Sequence, residues 1–354
     1  MPTFDALKIK CAVPELLAWY AVSKRQMAWR DEVSPYRTWI SEIMLQQTRV
    51  EAARVYFDRW MAALPSVSAV AEADEELLAK LWQGLGYYSR VRNIKKAAVI
   101  IVRDYGGFLP RDVKSLRALP GIGAYTAGAI ASIAFGLPEP AVDGNVVRVF
   151  SRYLGVYEDT SDEKGKKALA EAMRPAMPPD KCSDFTQAVM ELGALVCIPG
   201  TPRCGECPLR TACAALRNGD AASLPVLPER KQKRVEKMTV AVLRDEEGNF
   251  LLRKRPAKGL LAGLWEFWHI EGKLDEVESK NALQAFSPGD LRSLGEYTHI
   301  FTHVRWDMAG YEATVRIPPP GFLRVSPSAL AASYALPKAF GEFLKRAEKK
   351  EERA

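Results

Sequence analysis

Apolar residues recur every three or four positions through much of this chain and give way to alternation towards its end. Leu16, Leu17, Trp19 and Tyr20 supply the apolar face of a helix predicted over residues 14–25. Trp29 and Arg30 fall in a loop ahead of Pro35. A longer helix is predicted over 38–64, with Ile40, Ile43 and Val50 on one stripe and Glu42 on its margin. Residues 66–105 predict further helices, broken at QGLGYYSR. Residues 116–152 predict two helices around a tight turn. Pro120 stops the first near Leu119, Gly121 and Gly123 bracket Ile122, and the second runs from Ala124 to about Phe135. Helical spacing returns in Phe185, Val189, Leu192 and Val196.

Between residues 218 and 237 the stripe disappears, and NGDAASLPVLPERKQKRVEK reads as a linker. Beyond it MTVAVLRDEEGNFLLRKR reads as strand, turn, strand. GLLAGLWEFWHIE adds a loop and a strand, and YTHIFTHVRWDMAGYEATVRI two more strands. SPSALAAS and PKAFGEFLKRAEKK close as helices, the first capped by Ser326 or Ser328, and EKKEERA reads as a frayed tail. The fold class is therefore multidomain: an all-α domain over 1–217, the linker, and an α/β domain over 238–350.

Length and composition agree, since 354 residues suit two domains and 48% hydrophobic residues suffice for two cores. A net charge of +7 admits a polyanionic partner but equally a mildly basic protein without one. No apolar run approaches the roughly 20 residues of a membrane span. The N-terminus lacks a charged-then-apolar signal pattern. The expectation is a cytoplasmic, nucleoid-associated chain of bacterial type, a monomer, with no membrane partner and with reduced thiols. Four of its six cysteines, Cys197, Cys204, Cys207 and Cys213, are separated by six, two and five residues. Such clustering indicates a metal site or an iron–sulfur cluster, and a single CxxC favours a cubane over zinc. Cys11 and Cys182 lie outside the set and read as packed or inert thiols.

The glycine turn carries chemistry as well as shape. Gly121 and Gly123 leave backbone N–H groups uncovered at a helix N-terminus, where an anion is favoured. The segment 116–136 thus reads as a helix-hairpin-helix, a clamp for one DNA phosphate. Asp143, in VDGN, follows by a short Pro-containing loop. Glu42 carries two readings: a solvated carboxylate, or, beside Trp39 and Ile43, a partly buried acid of raised pKa. Gly84, Gly86, Tyr87, Tyr88 and Arg90 suit either a nucleic-acid surface or a turn with packed tyrosines.

LPGIGAYTAGAI, VDGNVVRV and the Cys-x6-Cys-x2-Cys-x5-Cys loop together resemble the helix-hairpin-helix DNA glycosylases of the endonuclease III superfamily. SEIMLQQTRV, LWQGLGYYSRVRN and the second domain narrow the resemblance to the adenine DNA glycosylase (MutY) family. It covers the chain from about Trp29 to the closing helices. It implies two helical lobes flanking a cleft, a [4Fe–4S] cluster on the four cysteines, and a Nudix-like second domain. The implied substrate is double-stranded DNA with adenine opposite 8-oxoguanine or guanine, the adenine being flipped out for hydrolysis.

On that resemblance Glu42 matches the acid that protonates adenine N7. Asp143 matches the carboxylate that stabilises or captures the sugar carbon, and Asn145 a group that orients the carboxylates. Glu42 is expected in the drier setting and Asp143 in the more hydrogen-bonded one. Tyr125 stands where bifunctional relatives carry a lysine, which implies no efficient lyase step; its phenol is expected to hydrogen-bond Asp143. Trp29, Arg30, Leu45 and Gln187 match residues around the base. Gln47, Thr48, Arg49, Tyr87, Gly121 and Gly123 match DNA contacts. Phe301, Thr302 and His303 match a Phe-Ser-His loop that reads 8-oxoguanine, with Thr302 in place of serine. The second domain lacks the Nudix hydrolase motif, so no nucleoside-diphosphate hydrolysis is expected. A thymine or uracil mismatch glycosylase and a non-catalytic iron–sulfur DNA-binding protein are the competing readings.

Overall fold

The computed structural model describes residues 2–228 and 232–351. Its chain contacts form two units: Met1–Glu72 with Asn93–Glu229, and Ala73–Arg92 with Arg230–Ala354. The segment Ala73–Arg92, expected within the helical domain, thus packs with the C-terminal unit, and the division falls inside the helix Ser89–Tyr105. Residues 229–231 of the expected linker and 352–354 of the expected tail lie outside the described residues, while residues 348–351 of that tail continue the last helix. Among the described residues, no helix is long and apolar enough to cross a membrane.

The first unit is helical. Leu16, Phe150, Phe185, Val189 and Leu192 are fully buried in one core, each stabilising the fold by about 1.5–3 kcal/mol relative to exposure. The helix Cys182–Leu195 packs on Gly144–Leu154 and on Val13–Ser23. The glycine hairpin forms as expected, with helices Val113–Ala118 and Ala124–Ala129 flanking the turn. The second helix continues through a π-helical segment, Ile130–Ala134. Two expectations change. Trp29 and Arg30 lie on a short helix, Ala28–Asp31, instead of a loop. The helix expected over 38–64 is two, Pro35–Leu45 and Val50–Ala63. The polar run Gln46–Arg49 offers no apolar side chain to continue the stripe, and Gln47 takes a left-handed backbone conformation with φ 58°.

The second unit is built on a seven-stranded mixed sheet. Its strands are β1 (Arg234–Arg244), β2 (Phe250–Lys254), β3 (Trp265–Glu266), β4 (Trp268–Glu271), β5 (Arg292–Ile300), β6 (Val304–Thr314) and β7 (Leu323–Val325). The order is β3-β2-β1-β6-β5, with β4 on β1 and β7 on β2. β1 starts inside the expected linker and pairs with β2 only at Arg244 and Phe250; its long partner is β6, parallel, with Met238 opposite Met308. Alternate side chains serve two cores. Val240, Val242 and Met308 meet Phe340 and Phe343 of the helix Lys338–Glu351, and Ala241, Leu243 and Tyr311 meet Leu283. The helix Glu75–Leu81 belongs to this unit: Glu76 accepts from Lys254 Nζ at 2.6 Å and Trp265 Nε1 at 3.0 Å.

Glycine is required where the hairpin helix presses on the strand of chain leading to Asp143. A Cβ on Gly128 would stand 2.2 Å from the Pro140 carbonyl oxygen. Gly128→Ala is expected to cost about 1–3 kcal/mol, read as a lower midpoint of thermal or urea unfolding. An unchanged midpoint would mean that the Pro140 loop yields freely.

Candidate active site

Ser34 and Pro35 start the helix that delivers Glu42: the Ser34 hydroxyl accepts from Arg37 N, and proline is pre-shaped for the first turn. Glu42 lies on the inward face of this helix and is 6% exposed. Asp143 is the N-cap of Gly144–Leu154, and its Oδ1 accepts from Val146 N at 2.8 Å. Its Oδ2 accepts from Asn145 Nδ2 at 2.8 Å. Tyr125 enters from the second hairpin helix and donates its hydroxyl to Glu42 Oε2 at 2.5 Å. The expectation that the phenol bonds Asp143 is therefore corrected: its hydrogen bond goes to the other carboxyl.

These four residues line one cavity of about 660 Å³. Trp29, Arg30, Leu45 and Gln187 line the same cavity, as do Gln47 and Thr48. Trp29 is buried against Phe57, edge to face at 5.4 Å. Gln187 donates to Ser183 Oγ at 3.1 Å. Arg49 lies exposed beside Thr48 in the turn between the two helices. Gly121 and Gly123 sit at the hairpin turn. Gly121 has φ 79° and its hydrogen faces Asn93, where a Cβ would come within 2.7 Å. Gly123 has an ordinary φ and nothing within 4 Å of where a Cβ would stand, so the fold itself does not require glycine there.

Burial pushes the Glu42 carboxyl up to about 7. The Tyr125 hydrogen bond pulls the other way, the Asp143 charge adds to the rise, and Arg30 opposes it. Burial also raises Asp143, against the Val146 N–H and the Asn145 amide, which favour its anion. Asp143 is thus the more hydrogen-bonded carboxyl, as expected, but not a freely ionised one. Glu191, not anticipated from the sequence, is the opposite case. Burial would raise it, but hydrogen bonds from Arg25 and Arg30 outweigh burial and hold it near 2. Its only sequence signal was an acid inside the apolar run VMELGALV. Lys166, also on the cavity wall and paired with Glu163 at 3.0 Å, was missed too.

The cysteine loop follows the Cys182–Leu195 helix. All four cysteines are free thiols. Cys207 faces Cys197, Cys213 and Cys204, and burial pushes its thiol up to about 12. The Leu209 N–H points at Cys207, and those of Leu216 and Ala215 at Cys213. Arg148 Nε donates to the Cys197 carbonyl at 2.7 Å, and Arg152 Nη1 approaches the Cys197 sulfur at 3.5 Å. Arg148 Nη2 also donates to Asn145 Oδ1 at 2.8 Å, which joins the loop to Asp143. Among the described residues no group of three or more His, Cys, Asp or Glu side chains could hold a metal ion.

In the second unit the β5–β6 turn carries the Phe-Thr-His triplet. Phe301 packs inward on His299 and Trp306, with ring centroids 4.5 and 4.8 Å away. Thr302 and His303 are exposed. Thr302 Oγ1 shares a 2.6 Å hydrogen bond with the Tyr87 hydroxyl.

The Glu42 shift has a consequence for stability. Its folded-state pKa of about 7 lies above the ordinary 4.5, so the native state holds the proton longer than the unfolded chain. That contribution is complete below about 4.5 and is lost as pH rises through about 7. Glu42→Gln, which cannot ionise, is expected to melt several degrees above the parent at alkaline pH, with the advantage vanishing in acid. Equal melting at every pH would contradict the buried, raised carboxyl.

The family model described as HhH-GPD superfamily base excision DNA repair protein matches residues 40–175, and a NUDIX domain model matches 239–346. An adenine DNA glycosylase of Schizosaccharomyces pombe is 32% identical over 375 residues, covering 86% of this chain and 81% of that protein. An adenine DNA glycosylase of Buchnera aphidicola subsp. Schizaphis graminum is 31% identical over 289 residues, covering 81% of this chain and 83% of its own length. Among solved structures, a thermostable thymine-DNA glycosylase matches with TM-score 0.54 at 29% identity, over 60% of this chain and 98% of that one. With helical and Nudix-like units in this order, and relatives that run across both, the chain belongs to the adenine DNA glycosylase family of base excision repair.

Proposed function

We propose that this enzyme removes adenine paired with 8-oxoguanine or guanine in duplex DNA, by hydrolysis and without an efficient strand-cleaving step. The observation that carries the reading is a buried Glu42 held up to about 7 in the same cavity as Asp143. The cavity lies within the size range of small-molecule pockets and has room for a flipped purine. Near neutral pH Glu42 keeps a proton to give to adenine N7. As the bond from the sugar carbon to the base breaks, its electrons leave with the protonated base and the sugar becomes an oxocarbenium ion. The Asp143 anion, oriented by Asn145 and the Val146 N–H, faces that cation. A water oxygen then bonds the sugar carbon, and its proton returns to a carboxylate.

Tyr125 supports the absence of a lyase step, because a phenol cannot form the imine that an amine at this position would. Its bond to Glu42 orients the acid. Arg30 and Gln187 suit the polar edge of a purine, and Trp29 and Leu45 its faces. Gly123, open where a Cβ would stand, suits a phosphate approaching the hairpin N–H groups. Thr302 and His303, exposed and with Thr302 bonded to Tyr87, suit contact with the 8-oxoguanine side of the mispair.

The same reading assigns a [4Fe–4S] cluster to Cys197, Cys204, Cys207 and Cys213. What supports it is the sequence spacing, the charge of the other three thiols acting on Cys207, and backbone N–H groups directed at Cys207 and Cys213; the side chains as they stand are not gathered about one ion. What the cluster supplies there is structural: bonds to four anchors that fix the loop. Purified protein is expected to be brown, with absorption near roughly 400 nm and about four irons per chain; a colourless, zinc-containing protein would overturn this part.

The likeness to a thymine-DNA glycosylase keeps thymine removal as a second reading, although that match stops short of the full chain. Single-turnover assays on A:8-oxoG, A:G and T:G duplexes separate the two. Adenine is expected to leave from the first two, with strand breaks only after alkali. Glu42→Gln is expected to bind the mispair but release adenine roughly 10²–10⁴-fold more slowly. Release of thymine and not adenine would sink the assignment.

A further inference from the structure

One carboxylate on the cavity wall is unused by this chemistry. Glu191 projects from the Cys182–Leu195 helix, and its side chain is 1% exposed. Its Oε1 accepts from Arg25 N at 3.0 Å and Arg25 Nε at 2.8 Å. Its Oε2 accepts from Arg25 Nη2 at 3.0 Å and Arg30 Nη2 at 2.9 Å. Arg30 Nη1 in turn donates to the Arg25 carbonyl at 3.1 Å. One buried anion therefore holds two guanidinium groups, and the cluster carries one net positive charge. Arg25 also comes within 4.0 Å of Glu51, but that carboxylate is 79% exposed and well screened. Arg25, Arg30, Glu42 and Glu191 all line the one cavity.

The groups acting on Glu42 come from three elements: Tyr125 from the hairpin helix, Asp143 from the cap of Gly144–Leu154, and Arg30 from Ala28–Asp31. Tyr20 faces Arg30, Glu191 and Asp184 from the Val13–Ser23 helix. Lys166, on the same wall, has its own partner in Glu163. Arg30 is thus the cation that reaches the acid, and Glu191 is what neutralises and fixes Arg30. We propose that Glu191 is a positioning residue: it holds Arg25 and Arg30 on the wall of the base pocket and sets how much positive charge the Glu42 acid feels. The proposal deepens the adenine-release reading and rests on Glu42 as its acid.

The test is the pH profile of single-turnover adenine release from an A:8-oxoG duplex. In the parent enzyme the rate falls as pH rises through about 7, where Glu42 loses its proton. Glu191→Gln removes one negative charge, favours ionised Glu42, and is expected to move this limb down by roughly half to one pH unit. Arg25→Gln removes one positive charge and is expected to move it up. Glu191→Asp keeps the charge and leaves the limb in place, whatever it does to the maximal rate. Opposite shifts are not what a merely loosened pocket produces. If Glu191→Gln does not fold, Arg25→Gln decides alone. A sloping parent profile with the variants superimposed on it overturns the role of Glu191. A parent profile flat through neutrality overturns the Glu42 reading instead, and the charge part of the proposal with it.

Discussion

Asp143 answers to two opposing demands. As an N-cap it satisfies the Val146 N–H and is best ionised, beside the positive end of a helix dipole. As a buried group near Glu42 it is best neutral. Asn145 offsets part of the burial by donating to its second oxygen, and Asn145 is itself held by Arg148. Arg148 donates as well to the carbonyls of Gly193 and Cys197. One short helix thus anchors Asp143 at its N-cap and the cysteine loop through its arginines. The links are half-buried or buried polar groups that would be costly to leave unpaired, so the two ends are coupled.

The carboxyl pair gains its difference from placement rather than residue type. Both acids are raised by burial, yet Glu42 has a single hydrogen bond from a phenol while Asp143 has a backbone and an amide donor. Each donor favours the anion it touches and so opposes the rise that burial causes. On the proposed reaction this difference in donors serves base release, which needs a proton on one side of the bond and a charge on the other.

Much of this was legible in the chain. The hairpin announced itself through Pro120 and two glycines, and the cysteine loop through its spacing; that Asp143 caps a helix did not. What else escaped depends on partners distant in sequence. Glu191 meets arginines that lie near the N-terminus, and no local pattern links them. The break at Gln46–Arg49 follows from where the chain must turn, not from helix propensity. The Tyr125 phenol had two carboxyls to choose from, and only the packing of the hairpin helix decides. The parallel pairing of β1 with β6 joins segments separated by the four strands β2 to β5, which alternation alone does not reveal.

The segment Ala73–Arg92 has an implication for synthesis. Its packing partners, such as Lys254 and Trp265, are made long after it. β1, too, must wait for β6 before its longest pairing exists. While the chain is still emerging from a ribosome, this early stretch is therefore without the neighbours that order it, and loop closure over such separations slows assembly. The first unit is accordingly interrupted in time as well as in sequence: it condenses around a tether that settles only once the last strands are complete.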